Sequence, residues 1–160
     1  MTGRYVTLDR VHLTWPPEPP PPLLIGAEGP KTLGVAARVG DGIISTWIDD
    51  ATFVHDRELA LAARSADGTA RRGLEHVCTL ITATGPSAAE RADAELRRWL
   101  RKPSPDMVAV GDARSIAASI RRRAGLGAGT IVLQPTADEP DQEALIGFLG
   151  TEVKSLVESW

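Results

Sequence analysis

The residues with the most chemistry in them are Gly26-Ala27-Glu28-Gly29-Pro30, which follow the apolar run Leu23-Leu24-Ile25 and precede a short helical pattern. Glycines let backbone N–H groups approach a ligand closely, and Pro30 suits the first position of a helix. A helix N-terminus at the C-terminal end of a strand offers unpaired donors and a partial positive charge, which suits a phosphate. The helix dipole alone contributes about 1–2 kcal/mol of attraction there. A plain tight strand-to-helix turn needs the same glycines, so spacing alone leaves both readings open. The run is not GxGxxG, and no Walker-type G-K-[ST] occurs.

Other reactive types carry less. His12, His55 and His76 stand far apart, without HExxH or Cys/His ligand spacing, which argues against a zinc site. No G-x-S-x-G elbow supports a nucleophile, and Cys78 sits in an apolar pattern that reads as a packed core thiol. The acidic stretch from Asp138 to Glu143 reads as charge bias at the start of the last helix rather than as a metal site. The run Arg121 to Arg123 reads as dipole pairing in a last helical turn on a solvated surface. Trp47 directly follows a strand, where either lining a site or packing beneath the next helix would suit it.

The elements that must position these residues alternate. Four short apolar runs, Leu23–Gly26, Gly42–Ser45, His76–Ala83 and Thr130–Gln134, read as buried strands, and His76–Ala83 is apolar on both faces, as a parallel strand is. Helical patterns lie between them. One runs from Ala51 to about Arg64 behind Asp49-Asp50, with Phe53, Ala60 and Leu61 inward. A second starts at a capping box of Ser87 and Glu90 and turns Ala89, Ala92, Leu96, Trp99 and Leu100 inward. It ends at Lys102-Pro103-Ser104-Pro105. A third follows Asp112, with Ile116, Ala117 and Ile120 inward and Gly125 as its stop. A final helix carries Leu145, Phe148, Leu149, Val153, Leu156 and Val157 on its core face. Residues Ser65 to Gly73 read as a loop.

About four parallel strands with helical crossovers follow, either as an open doubly wound sheet or as a piece of a (β/α)8 barrel. A whole barrel needs roughly 250 residues and eight strands, against 160 residues here. Ahead of this, Arg4–Trp15 alternates like two short strands of a hairpin, and Pro16–Pro22 is a stiff spacer. The expected division is therefore 1–22 and 23–160.

A formal charge of −3 argues against nucleic-acid or anionic-membrane binding. No apolar run approaches the roughly 20 residues of a membrane span, and a lone cysteine fits a reducing, cytoplasmic setting.

Three stretches resemble the luciferase-like monooxygenase superfamily, including its deazaflavin-dependent reductases and dehydrogenases. They are Gly3–Asp9 with Leu13–Pro17 (LTWPP), then IGAEGPKTLGVAARVGDGII from Ile25, then AGLGAGTIVLQPTADEP from Ala124 to Pro140. The resemblance implies a (β/α)8 TIM-type barrel holding FMN or the deazaflavin coenzyme F420 at the C-terminal ends of its strands, for hydride transfer or oxygenation. It places Gly26, Ala27, Glu28 and Gly29 beside the cofactor's phosphate-bearing tail, and Thr46 at the end of the next strand. The deazaflavin dehydrogenases carry a basic residue shortly after that threonine, where Trp47-Ile48-Asp49 stand here, and another at the start of the last helix, where Glu143-Ala144 stand. The family's catalytic residues lie mostly on the first strands, which precede the matched region, so none is carried over. The expectation is thus the C-terminal half of such an oxidoreductase. It would self-associate through free strand edges or require a separate N-terminal half. A non-catalytic phosphate- or partner-binding half-barrel is the alternative.

Overall fold

The computed structural model describes residues 3–66 and 73–158. The elements in chain order are β1 (Leu24–Gly26), α1 (Pro30–Val39), β2 (Gly42–Thr46), α2 (Asp50–Ala66), β3 (Glu75–Ala83), α3 (Ala88–Arg98), β4 (Val108–Val110), α4 (Ala113–Gly125), β5 (Thr130–Pro135) and α5 (Gln142–Phe148). A π-helical turn, Leu149–Val153, joins α5 to α6 (Lys154–Glu158). Every strand pair is parallel. The architecture is α/β with an open sheet.

The hub is β3. Its Val77–Thr79 pair with both β2 and β5, so those two strands occupy opposite edges. Its Ile81 and Thr82 pair with both β4 and β5, so β4 continues the edge that β2 has left. The sheet therefore reads β1-β2-β3-β5 in one row, with β4 sharing an edge of β3. Among the described strands, β1 and β5 have no partner on their outer edges.

This order dictates where the helices go. Parallel crossovers are right-handed, so a step back along the sheet puts its helix on the other face. The steps β1→β2, β2→β3 and β4→β5 go forward, whereas β3→β4 goes back. Accordingly α1 and α2 bury Leu33, Ala36, Ala37 and Ala60 against Ile43, and α4 buries Ile116 and Ala117 against Leu80 and Ala109 on that same face. Helix α3 instead buries Ala92 and Leu96 against Ile81 and Val108 on the opposite face.

Several expectations are corrected. The described residues form five strands, where about four were expected. The missed one, β4, has only three residues, too few to show a period. The two short strands expected in Arg4–Trp15 do not form. Thr7 makes an isolated bridge, and Tyr5, Val11, Leu13 and Trp15 remain exposed, because neither face of that stretch is apolar enough to dock. Helix α2 extends through Ala66, and residues 67–72 of the expected loop lie outside the described residues.

The helix faces also differ in detail. Leu61 is exposed, and Arg64 is buried in its place, donating to the carbonyls of Ala37 (3.1 Å) and Gly40 (2.7 Å). On α3 the buried face is Ala88, Ala92, Glu95 and Leu96, while Leu100 falls outside the helix and is exposed. Ser87 stands at the N-cap without a side-chain capping bond, whereas Asp112 caps α4 through the Ser115 N–H (2.8 Å). The Arg121–Arg123 run is not simply a solvated surface: Arg123 is 1% exposed. Its guanidinium donates to the carbonyls of Ile48 (3.0 Å) and Asp106 (2.8 Å) and lies over the ring of Phe53.

Candidate functional site

Strand β1 ends at Gly26, and the chain turns through Ala27 and Glu28 to Gly29, the N-cap of α1. Gly29 has φ +79° and ψ 154°, a conformation essentially reserved for glycine. No side chain caps this helix, and Pro30 takes its first position. The first intrahelical bond runs from the Leu33 N–H to the Gly29 carbonyl (3.0 Å). The Lys31 and Thr32 amides precede it and have no carbonyl four residues back within the helix to receive them. A Cβ built at Gly26 or at Gly29 would meet no heavy atom within 4 Å, so the space over the turn is open.

Parallel pairing sets Gly26 beside Ile44 and carries Thr46 two residues further along the adjacent strand. Gly26, Ala27, Glu28 and Thr46 come together around an open cavity of about 200 Å³, which Ile44, Ile48 and Asp56 also line. Gly29 adjoins it at the helix cap. Burial, with the Glu28 charge adding to it, raises the Asp56 carboxyl above its ordinary range, against the opposing effect of His55.

The structure adds two residues that the sequence reading passed over. The Arg101 guanidinium reaches Glu28 Oε1 at 2.5 Å, so the connection after α3 closes onto the glycine turn. Arg101 and Lys102 then line a second open cavity, about 480 Å³, together with Trp47, Ile48, Thr52 and Ser104. Ile48 belongs to both cavities. In sequence this basic pair merely ends a helix, and nothing local points to a partner around Glu28. Trp47 lines the second cavity and packs as well. It stacks on Trp99 with ring centroids 4.6 Å apart, at φ +50°, and its buried indole N–H has no hydrogen-bond partner among the described residues.

Helix α3 reaches the segments that leave the C-terminal ends of β3 and β5. Arg91 donates to Thr136 Oγ1 (2.9 Å), Asp138 Oδ1 (3.2 Å) and Glu139 Oε2 (2.9 Å), all just beyond β5. Glu95 accepts from the Ala137 N–H (3.1 Å) and the Trp99 indole N–H (2.8 Å). The acidic stretch from Asp138 to Glu143 is therefore divided. Asp138 and Glu139 hold Arg91, and Asp141 caps α5 through the Ala144 N–H (2.9 Å). The bonds from Thr136 and Arg91 hold the Asp138 carboxyl below its ordinary range. No group of His, Cys, Asp and Glu that could hold a metal occurs among the described residues.

The sequence profile of the luciferase-like monooxygenase family matches residues 1–147. The chain belongs to that family. A curated relative, the F420-dependent hydroxymycolic acid dehydrogenase of Mycobacterium tuberculosis, is 32% identical over 101 residues, which are 61% of this chain and 27% of the relative. Among solved structures, an F420-dependent secondary alcohol dehydrogenase in complex with an F420–acetone adduct superposes with a TM-score of 0.73 at 19% identity. That match covers 98% of this chain and 55% of the other. The coenzyme F420-dependent tetrahydromethanopterin reductase of Methanopyrus kandleri gives 0.65 at 17% identity, covering 84% and 50%. At these identities the structural matches speak to the fold. The chain spans about half the length of these structures and a smaller share of the curated relative. The uncapped turn, open at Gly26 and Gly29, presents backbone donors and space of the kind a phosphate group requires.

Proposed function

We propose that the chain is the cofactor-tail-binding C-terminal part of a luciferase-like flavin- or deazaflavin-dependent oxidoreductase. The backbone of Gly26, Ala27, Glu28 and Gly29 receives the tail phosphate, and Thr46 stands beside it. The observation that carries this reading is the uncapped α1 N-terminus, with open space at both glycines, at the C-terminal end of a parallel strand. The F420 dependence of the relatives favours the deazaflavin over FMN. The hydride or oxygen chemistry belongs to the cofactor. A reducing, cytoplasmic setting suits the lone Cys78.

The free outer edges of β1 and β5 are where a second copy, or a separately made N-terminal half, would add strands. Residues 1–22 are then the insertion and Pro-rich spacer ahead of the half-barrel at 23–160. Sedimentation tests this: a chain that remains a stable monomer at high concentration, and binds no N-terminal half, refutes it.

A second reading is a non-catalytic binding module. It draws on α3, which lies across the ends of β3 and β5 and buries Ile81 on the face opposite α1, α2 and α4. Titration of the full chain with F420 and with FMN, followed by assay with a hydride acceptor, separates the two. Tight binding that Gly26→Val weakens at least tenfold supports the tail site, and unchanged affinity overturns it. Turnover supports the enzyme; binding without turnover supports the module.

A further inference from the structure

We propose that the cavity between Trp47 and the Arg101-Lys102 pair extends the tail site and takes the acidic end of a tail longer than one phosphate, Arg101 exchanging Glu28 for a carboxylate or phosphate of the ligand. This rests on the turn reading above.

Ile48 lines both cavities, and the Glu28–Arg101 ion pair joins a residue of the first to a residue of the second, so the second cavity neighbours a ligand anchored at Gly26–Gly29. The Glu28 side chain is 72% exposed and the Arg101 side chain 30%, so the carboxylate is the partner free to leave for water. Once Glu28 swings into water, the Arg101 fork faces the cavity, and such a fork matches a carboxylate or phosphate edge in two-point contact. Lys102 makes no ion pair with any described residue and lines the same space. The acid on the far wall, Asp49, is committed to capping α2, its Oδ1 accepting the Thr52 N–H at 2.7 Å. Two walls carry non-glycine residues with left-handed backbone, Trp47 (φ +50°) and Leu100 (φ +59°). Such strain is uncommon away from functional segments. The Trp47–Trp99 stack at the rim supplies a built-in fluorescent reporter.

The test uses the full chain, with F420 (acidic tail) and FMN (one phosphate) titrated by tryptophan fluorescence and calorimetry. In the double variant Arg101→Gln with Lys102→Gln, F420 affinity falls at least tenfold while FMN affinity changes less than twofold. Glu28→Gln moves F420 affinity the other way, upward, because the competing carboxylate is gone. A merely structural salt bridge makes Glu28→Gln and Arg101→Gln weaken binding together, and that result overturns the proposal. Equal losses for both cofactors overturn it too, as does no loss for either. If the parent chain binds neither cofactor, the turn reading fails and this inference fails with it. If F420 binds and ignores both basic residues, only this inference fails.

Discussion

Arg123 and Asp50 form an ion pair at 3.1 Å, with the arginine side chain 1% exposed. The contact ties the end of α4 to the first residue of α2 and so fixes the segment Trp47–Asp49 that leaves β2 beside the glycine turn. The same guanidinium holds the carbonyls of Ile48 and Asp106, and Asp106 in turn accepts the Asp50 N–H at 2.8 Å. Arg122 also pairs with Asp50 and donates to the Asp106 carbonyl, so removing Arg123 chiefly deprives the buried Ile48 carbonyl of its side-chain donor, at a cost of about 1–3 kcal/mol. Arg123→Ala should lower stability by that amount, read as a shift of the urea midpoint. Arg123→Lys should recover little, since an ammonium lacks the planar fork that reaches several acceptors at once. A midpoint unchanged in Arg123→Ala would remove the pair from any role in holding this segment.

His76 sets a pH dependence. Its ring is buried, stacks on Phe53 at 4.0 Å and shares a 2.9 Å hydrogen bond with Ser45. Burial, with Arg57 and Arg123 adding to it, lowers its pKa from 6.5 to about 4. Between those values the unfolded chain binds a proton that the folded chain does not, so stability falls as the pH drops from 6.5 toward 4 and is fully present above 6.5. The loss amounts to roughly 3 kcal/mol at most. Denaturant midpoints measured from pH 7 to pH 4.5 should show this slope, and His76→Phe should flatten it. The same slope in the variant would assign the effect to other groups.

What was legible in the sequence was what local order alone determines. An apolar run, a glycine turn and a proline placed β1 and α1 correctly, and β-branched residues apolar on both faces marked β3. What was not legible depends on partners distant in the chain. Three arginines at a helix end look solvated until Asp50, Asp106 and Phe53 converge on the last of them. Glu95 sits among the charges of α3, yet it is buried because the Ala137 N–H and the Trp99 indole need acceptors. Strand β4 has no periodicity to detect, and with it goes the reversal of strand order that moves α3 to the other face. At the candidate site the turn itself could be read, but Arg101 could not, because its partner Glu28 lies far back in the chain, before α1, β2, α2, β3 and α3.

Cys78 should be inert in the folded protein. It is 1% exposed, and burial pushes its thiol up to about 11. The thiolate is the reactive form, so a disulfide reagent at pH 8 should modify it only as fast as the core opens, with full reaction in denaturant. Immediate labelling of the native protein would show that the Phe53–Cys78–Ile48 core is open in solution.

Two glycines of the same βαβ unit should respond oppositely to alanine. Gly42 lies in β2 against Glu75 and Leu24, and a Cβ there would stand 2.6 Å from the Glu75 carbonyl oxygen and 2.6 Å from the Leu24 side chain. The first contact is with backbone of the adjacent strand and cannot be relieved by a rotamer change, so the strands must separate. Gly42→Ala should cost about 3 kcal/mol or more, in the range of severe overpacking. Gly26 has open space at the corresponding point, so Gly26→Ala should change stability by less than about 1 kcal/mol. Its added methyl projects into the space that the proposed tail phosphate would occupy, so Gly26→Ala should weaken cofactor binding while leaving the unfolding midpoint nearly unchanged. That split between affinity and stability is the signature of a glycine kept for a ligand. If Gly26→Ala instead destabilises the fold as Gly42→Ala does, the glycine serves the turn alone.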